Sequence, residues 1–264
     1  MVQGTKVRLR PLLLPVEHGG WGFLFEPIVM ALVAVPSAAT VLLALTAFAL
    51  FLSRQPLKVA IEDTRRRRRV PRTKAARAIA LGYLLVAGAG VGSAVMVAPY
   101  PFWAVAALLA PLGFVTLRFD ARGESRNLIP ELAGATALAG LACAAGLAAG
   151  LTWPLALSLW VSALVRVVPA IVTVRERVQR LHGEAPRTFG PAASHALALS
   201  VAAGLALSGL MPPAVGVIAL LLALRAAWEL RPAAPATTAM RIGIRELVTG
   251  LVAAAAIGLA WRLA

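Results

Sequence analysis

The sequence predicts an all-α, polytopic membrane bundle of about nine transmembrane helices, built as a single integral membrane domain over residues 1–264. Three observations carry that expectation. Sixty per cent of the residues are hydrophobic and only 14% are charged, too few charges to solvate the surface of a soluble domain of this length. The apolar stretches approach the roughly 20 helical residues needed to cross a ~30 Å hydrocarbon core. Finally, the charges collect in blocks at every second gap between apolar segments, and the gaps between those blocks carry none.

The elements follow in order. Lys6, Arg8, Arg10 and Glu17 precede the first apolar segment, 20–35, which holds Glu26 in its interior. The uncharged turn Val35-Pro36-Ser37 leads into 37–53, and the block from Arg54 to Arg77, with its unbroken run Arg65 to Arg69, leads into 77–97. Ala98 to Pro101 separates that segment from 102–117, and Arg118 to Glu131 precedes 128–150. Leu151 to Pro154 opens 153–174, Arg166 to Arg187 precedes 192–210, Leu210 to Pro213 opens 213–231, and Arg225 to Glu246 precedes 241–262. Prolines 36, 99, 101, 154, 212 and 213 mark the tight turns, because a missing N–H and a fixed φ end helices. With nine crossings the blocks fall on the N-terminal side, Arg262 excepted. The bias of Lys and Arg toward cytoplasmic loops puts that side, and the N-terminus, in the cytoplasm and the C-terminus outside.

The excess of Lys and Arg (26 against 11 acidic residues) is therefore read as a topology signal and a contact with anionic membrane lipids, not as a nucleic-acid surface. The single cysteine, Cys143, excludes an intrachain disulfide and a cysteine metal site. Leu12 to Leu14 is too short for the core of a signal peptide, so the first segment is expected to be retained. Small residues are dense in Gly88 to Gly92 and Ala142 to Gly150, where they allow close helix packing in lipid. No internal repeat, soluble domain, GxSxG, phosphate-binding glycine loop or HExxH motif is found.

Ionisable groups inside a bundle are costly unless paired or wetted, so they nominate sites. Arg166, Thr173, Arg177 and Arg180 fall on one helical face. Such a row of guanidiniums suits a phosphate or carboxylate, with Pro169 one turn on able to kink the helix. Arg54, Lys58 and Glu62 follow at i+4 spacing, with Asp63 next. Arg225 and Glu229 are placed to pair on one face. Glu17 and His18 form a candidate acid/base pair, and Trp21 a headgroup anchor. The three histidines lack metal-site spacing.

The segments Pro15 to Trp21 (PVEHGGW), Arg54 to Leu57 (RQPL) and Val165 to Gly183 resemble the YwiC-like family of bacterial membrane proteins, which implies a bacterial cytoplasmic membrane location. Nine spans with charged loops after the second and sixth also look like the UbiA prenyltransferase superfamily. There, two Asp-rich segments hold Mg²⁺ against an isoprenoid diphosphate. If the RT pair of that pattern is set on Arg72-Thr73, the first segment's acids fall on Ala60, Asp63 and Arg67. The second segment's fall on Arg166, Thr173 and Glu176 or Arg177. Only Asp63 and Glu176 keep a carboxylate, a poor set for a divalent cation, so no metal and no cofactor is expected.

The expected function is binding of an anionic amphiphile, an isoprenoid phosphate or quinone-like lipid, in a basic cavity facing the cytoplasm. Arg54, Lys58, Arg166, Arg177 and Arg180 are the expected anion-binding residues. A divergent transferase using Glu17, His18, Asp63 or Glu176 is one alternative, and a transporter or accessory subunit of a membrane complex is another.

Overall fold

The computed structural model describes residues 10–13, 20–67, 70–99, 101–124, 126–231 and 237–264, all helical or in short connections. After the short helix α1 (Arg10–Leu13) come α2 (Gly20–Ala34), α3 (Ala38–Arg65), α4 (Pro71–Val97), α5 (Ala104–Asp120), α6 (Leu128–Ala139) and α7 (Leu141–Ala148). Then follow α8 (Trp153–Leu181), α9 (Phe189–Leu207), α10 (Pro213–Leu230) and α11 (Ala239–Leu263). Each of the nine expected segments is helical, with α6 and α7 sharing the fifth. Seven are long and apolar enough to cross a membrane: α3, α4, α6 with α7, α8, α9, α10 and α11. At 15 residues α2 reaches about 22 Å, short of the hydrocarbon core, and α5 with 17 is little longer. The protein is a multi-pass helical membrane protein.

Two helices run well past their apolar segments. α3 continues through the charged block to Arg65, because Arg, Lys and Glu are good helix formers and Glu62 pairs with Arg66 at 2.8 Å one turn on. α8 continues likewise to Leu181. The uncharged turns are closed by local chemistry. Ser37 accepts from the Thr40 N–H at 3.1 Å, and the Thr40 hydroxyl donates to the Val35 carbonyl at 2.7 Å. After α7, Gly150 adopts φ +99°, and the N–H groups of Gly150 and Leu151 bond back to the carbonyls of Leu147 and Gly146. This paired closure requires the left-handed residue that glycine supplies.

Small residues set the closest helix contacts. A Cβ at Gly90 of α4 would overlap Thr46 Oγ1 of α3, whereas Gly88 and Gly92 face open space. In α11, a Cβ at Gly258 would come within 2.8 Å of the Met30 carbonyl of α2. The interior is built around α7 and α8, where Ala142, Cys143, Ala145, Ala156 and Leu159 are fully enclosed. Leu81, Leu85 and Met96 of α4, and Leu220, Leu221 and Leu224 of α10, remain exposed. An apolar outer face of this kind suits lipid contact. Ion pairs join the charged ends of α3 and α4 (Asp63 with Arg72) and of α8, α10 and α11 (Arg177 with Glu229, Arg225 with Glu246), and one cavity is lined from the charged ends of α3, α8 and α11.

Candidate functional site

At these charged ends the helices enclose a cavity of about 750 Å³ between α2, α3, α6, α8 and α11. Its walls include Phe23, Phe51, Leu138, Ile171, Val174 and Leu247. Toward the mouth it carries Arg54, Gln55, Lys58, Arg126 and Glu131. The floor is formed by Glu26, Arg166 and Glu246. Glu26 lies six residues into α2, about 9 Å along the axis.

The floor is an ion cluster inside the helical bundle. Arg166, on α8, is 4% exposed, and its Nη2 lies 3.0 Å from Glu26 Oε1 and 3.0 Å from Glu246 Oε1. The same nitrogen donates to the Glu246 backbone carbonyl at 3.2 Å. Glu246 Oε2 is met by Arg225 Nη2 at 3.0 Å, Arg225 pairs with Glu229 at 3.2 Å, and Glu229 is held by Arg177 at 2.7 Å. The result is an alternating chain, Glu26, Arg166, Glu246, Arg225, Glu229, Arg177, that links α2, α8, α11 and α10. Beside it, the Thr173 hydroxyl lies 3.3 Å from His195 Nε2.

This changes the setting of the expected anion-binding row. Arg166 alone of that row lines the cavity, and it is already engaged by two carboxylates. Arg177 turns to Glu229, and Arg180 pairs with Glu176 at 2.8 Å and donates to the Leu230 carbonyl. Arg54 lines the cavity but makes a two-point contact with buried Asp120 of α5, both bonds 2.8 Å. Lys58 also lines it. Neither Lys58 nor Arg126 has a carboxylate within ion-pair distance among the described residues. The Arg225–Glu229 pair forms as its spacing predicts.

The transferase candidates are dispersed. Asp63 is 1% exposed and receives Arg72 at 2.7 Å and the Thr73 hydroxyl at 2.8 Å, so it ties the end of α3 to the start of α4. Glu176 accepts from Arg180 and from the Arg187 N–H at 2.7 Å. Neither lines the cavity, and the donors do not fit the Mg²⁺ that the UbiA resemblance implies. Among the described residues no three His, Cys, Asp or Glu side chains come together to hold a metal ion. Glu17 and His18 lie outside the described residues, as do Arg68 and Arg69.

Glu246, Asp120 and Arg126 escape a reading of the sequence because each sits in a charged block, where a solvated loop is the ordinary expectation. One signal was available for Glu246: Gly250 follows it by four residues, so a small residue shares its helical face. Trp21 packs on Phe25, Phe48 and Phe51, with ring centroids 5.8, 6.2 and 5.2 Å away. A Cβ at Gly20 would stand 3.2 Å from Phe51. Gly20 of the first segment that carries the family resemblance and Arg54 and Gln55 of the second line the same cavity, and the third supplies Arg166 and Ile171. No curated protein and no solved structure matches the chain. The family model described as YwiC-like protein matches residues 14–146, half of the chain, and with these features on one cavity the chain belongs to the YwiC-like family.

Proposed function

We propose that this membrane protein binds an anionic amphiphile, with its head at Lys58 and Arg126 and its apolar chain against Phe23, Phe51, Leu138 and Ile171. The observation that carries this reading is the asymmetry of the cavity lining. The carboxylates Glu26, Glu62, Glu131 and Glu246 are each met by an arginine, while among the described residues no carboxylate meets Lys58 or Arg126. A cavity of about 750 Å³ falls in the range that encloses most of a small ligand. Phosphate or carboxylate heads on isoprenoid or acyl chains suit it best, and a quinone-like lipid with an acidic group is a further member of the class. The excess of arginine and lysine at the cavity end supports a cytoplasmic placement for that end, in a bacterial cytoplasmic membrane.

The transferase alternative draws no support from Asp63 and Glu176, whose oxygens serve helix contacts. A transport role for the same amphiphile has one observation in its favour, the ionisable chain inside the bundle, since such groups mark ion and substrate pathways. Mass spectrometry of the purified native protein and of the double variant Lys58→Ala, Arg126→Ala tests the reading. The native protein is expected to carry an anionic lipid that the double variant loses. Equal anionic lipid content in both would reject it.

A further inference from the structure

The floor of the cavity holds more charge on one nitrogen than it can satisfy. Arg166 Nη2 has two hydrogens and faces three acceptors: Glu26 Oε1, Glu246 Oε1 and the Glu246 carbonyl. The two carboxylate oxygens lie within about 6 Å of each other, twice the 3.0 Å each keeps from that nitrogen. Glu246 has a second cation, Arg225, on its other oxygen. Glu26 has none among the described residues: its Oε2 is enclosed and has no hydrogen-bond partner there, as is the case for Arg166 Nε. Two carboxylates crowded on one cation favour a proton on one of them, and the less compensated one is Glu26. A neutral hydroxyl is also cheaper to bury unpaired than part of an anionic charge.

We infer that Glu26 is a proton-binding site coupled to the ligand cavity, taking up a proton when the anionic head enters. This rests on the anion-binding reading above. The proton comes from solvent by way of the cavity, whose lining includes the exposed residues Glu62 and Arg126, and it ends on Glu26 Oε2. Losing that negative charge leaves Arg166 with Glu246 as its one carboxylate partner and makes the floor more positive by one. Proton and anion then favour each other's binding, as linkage requires. The charged groups around Glu26 are Arg166 on α8, Glu246 on α11, Arg54 and Lys58 on α3, and Glu131 on α6; His195 on α9 lies behind Thr173. His195 is the rival seat for the proton.

The experiment uses octyl sulfonate, an anionic amphiphile whose own charge is constant across the working pH range. Its binding to the purified full-length protein is measured by calorimetry from acid to alkaline pH, in buffers of different ionisation heat. One coupled proton gives an affinity that falls by up to about tenfold per pH unit as pH rises, with proton uptake on binding. Glu26→Gln is expected to abolish uptake and flatten the pH profile, and His195→Gln to leave both unchanged. Binding without uptake, uptake that survives Glu26→Gln, or uptake lost in His195→Gln would overturn the coupling yet leave the anion reading standing. An absence of binding at every pH would reject the anion reading and the coupling with it. Infrared difference spectra of the native protein supply a second readout should Glu26→Gln fail to fold. A protonated-carboxyl band that grows on adding octyl sulfonate supports the coupling, and its absence overturns it.

Discussion

Gly250 of α11 stands against Glu26 of α2 so closely that a single methyl group at position 250 would overlap Glu26 Oε1, and Arg166 Nη2 beside it. The ion pair on the cavity floor therefore depends on a missing side chain. In lipid, where no hydrophobic drive brings helices together, such small-residue contacts decide how closely backbones approach.

Gly250→Ala is consequently expected to lower the thermal unfolding temperature of the purified protein. Overpacking a tight contact costs roughly 1–3 kcal/mol, and displacement of the Arg166–Glu26 pair adds to it. Gly216→Ala is the control, because a Cβ there meets nothing within 4 Å, and alanine in a helix is favoured over glycine by about 0.5–1 kcal/mol. Equal unfolding temperatures for the two variants would contradict the geometry of the floor.

Arg166 and Glu26 should respond unequally to removal. Arg166→Met strips Glu26 of its cation and leaves Glu246 with Arg225 alone. Breaking a buried pair in this way costs up to roughly 3–5 kcal/mol, reduced where Glu26 takes a proton once its cation is gone. Glu26→Gln leaves Arg166 its contact with Glu246 and is expected to cost clearly less. Unfolding curves of the two variants in the same detergent check the order, and a milder Arg166→Met would contradict it.

Asp63 is expected to act on the α3–α4 connection and not on ligand binding. Its carboxylate receives Arg72 and Thr73, the second and third residues of α4, so Asp63→Ala frees the start of that helix. Arg72 is half exposed, so solvent screens its share, and the enclosed Thr73 bond carries most of the effect. Limited proteolysis should speed up between residues 64 and 72 while lipid content is unchanged. Loss of the lipid with an intact connection would instead draw Asp63 into the site.

The architecture was legible in the sequence because apolar length and alternating charge report directly on helices in lipid. Nine crossings were expected; among the described residues each of those segments is helical, and seven are long and apolar enough to cross a membrane. What the pattern missed is where the charged blocks stop being loops. Arg54 and Lys58 lie on a helix that continues past its apolar part, so their side chains keep helical register and line a cavity wall. Arg166 stood out by its depth, yet its partners did not, since Glu26 and Glu246 are 140 and 80 residues away in the chain. Pairing across such separations is decided by packing, and helix periodicity carries no information about it.

Lys58 should control the ionic-strength dependence of ligand binding. It lines the mouth of the cavity and is partly exposed, whereas Arg54 beside it is neutralised by Asp120. Interactions with an exposed cation are screened by salt over a Debye length of about 8–10 Å near physiological ionic strength, whereas the enclosed floor is screened far less. Octyl sulfonate affinity for the native protein should therefore fall as salt rises. Lys58→Gln should lower affinity by up to about tenfold at low salt and make the remaining dependence shallower. Arg54→Gln has a different signature: it removes half of an internal pair, leaves buried Asp120 without its bidentate partner, and lowers stability. If Lys58→Gln keeps the native affinity and salt slope, the head does not sit at Lys58, and Arg126 becomes the cation to test alone.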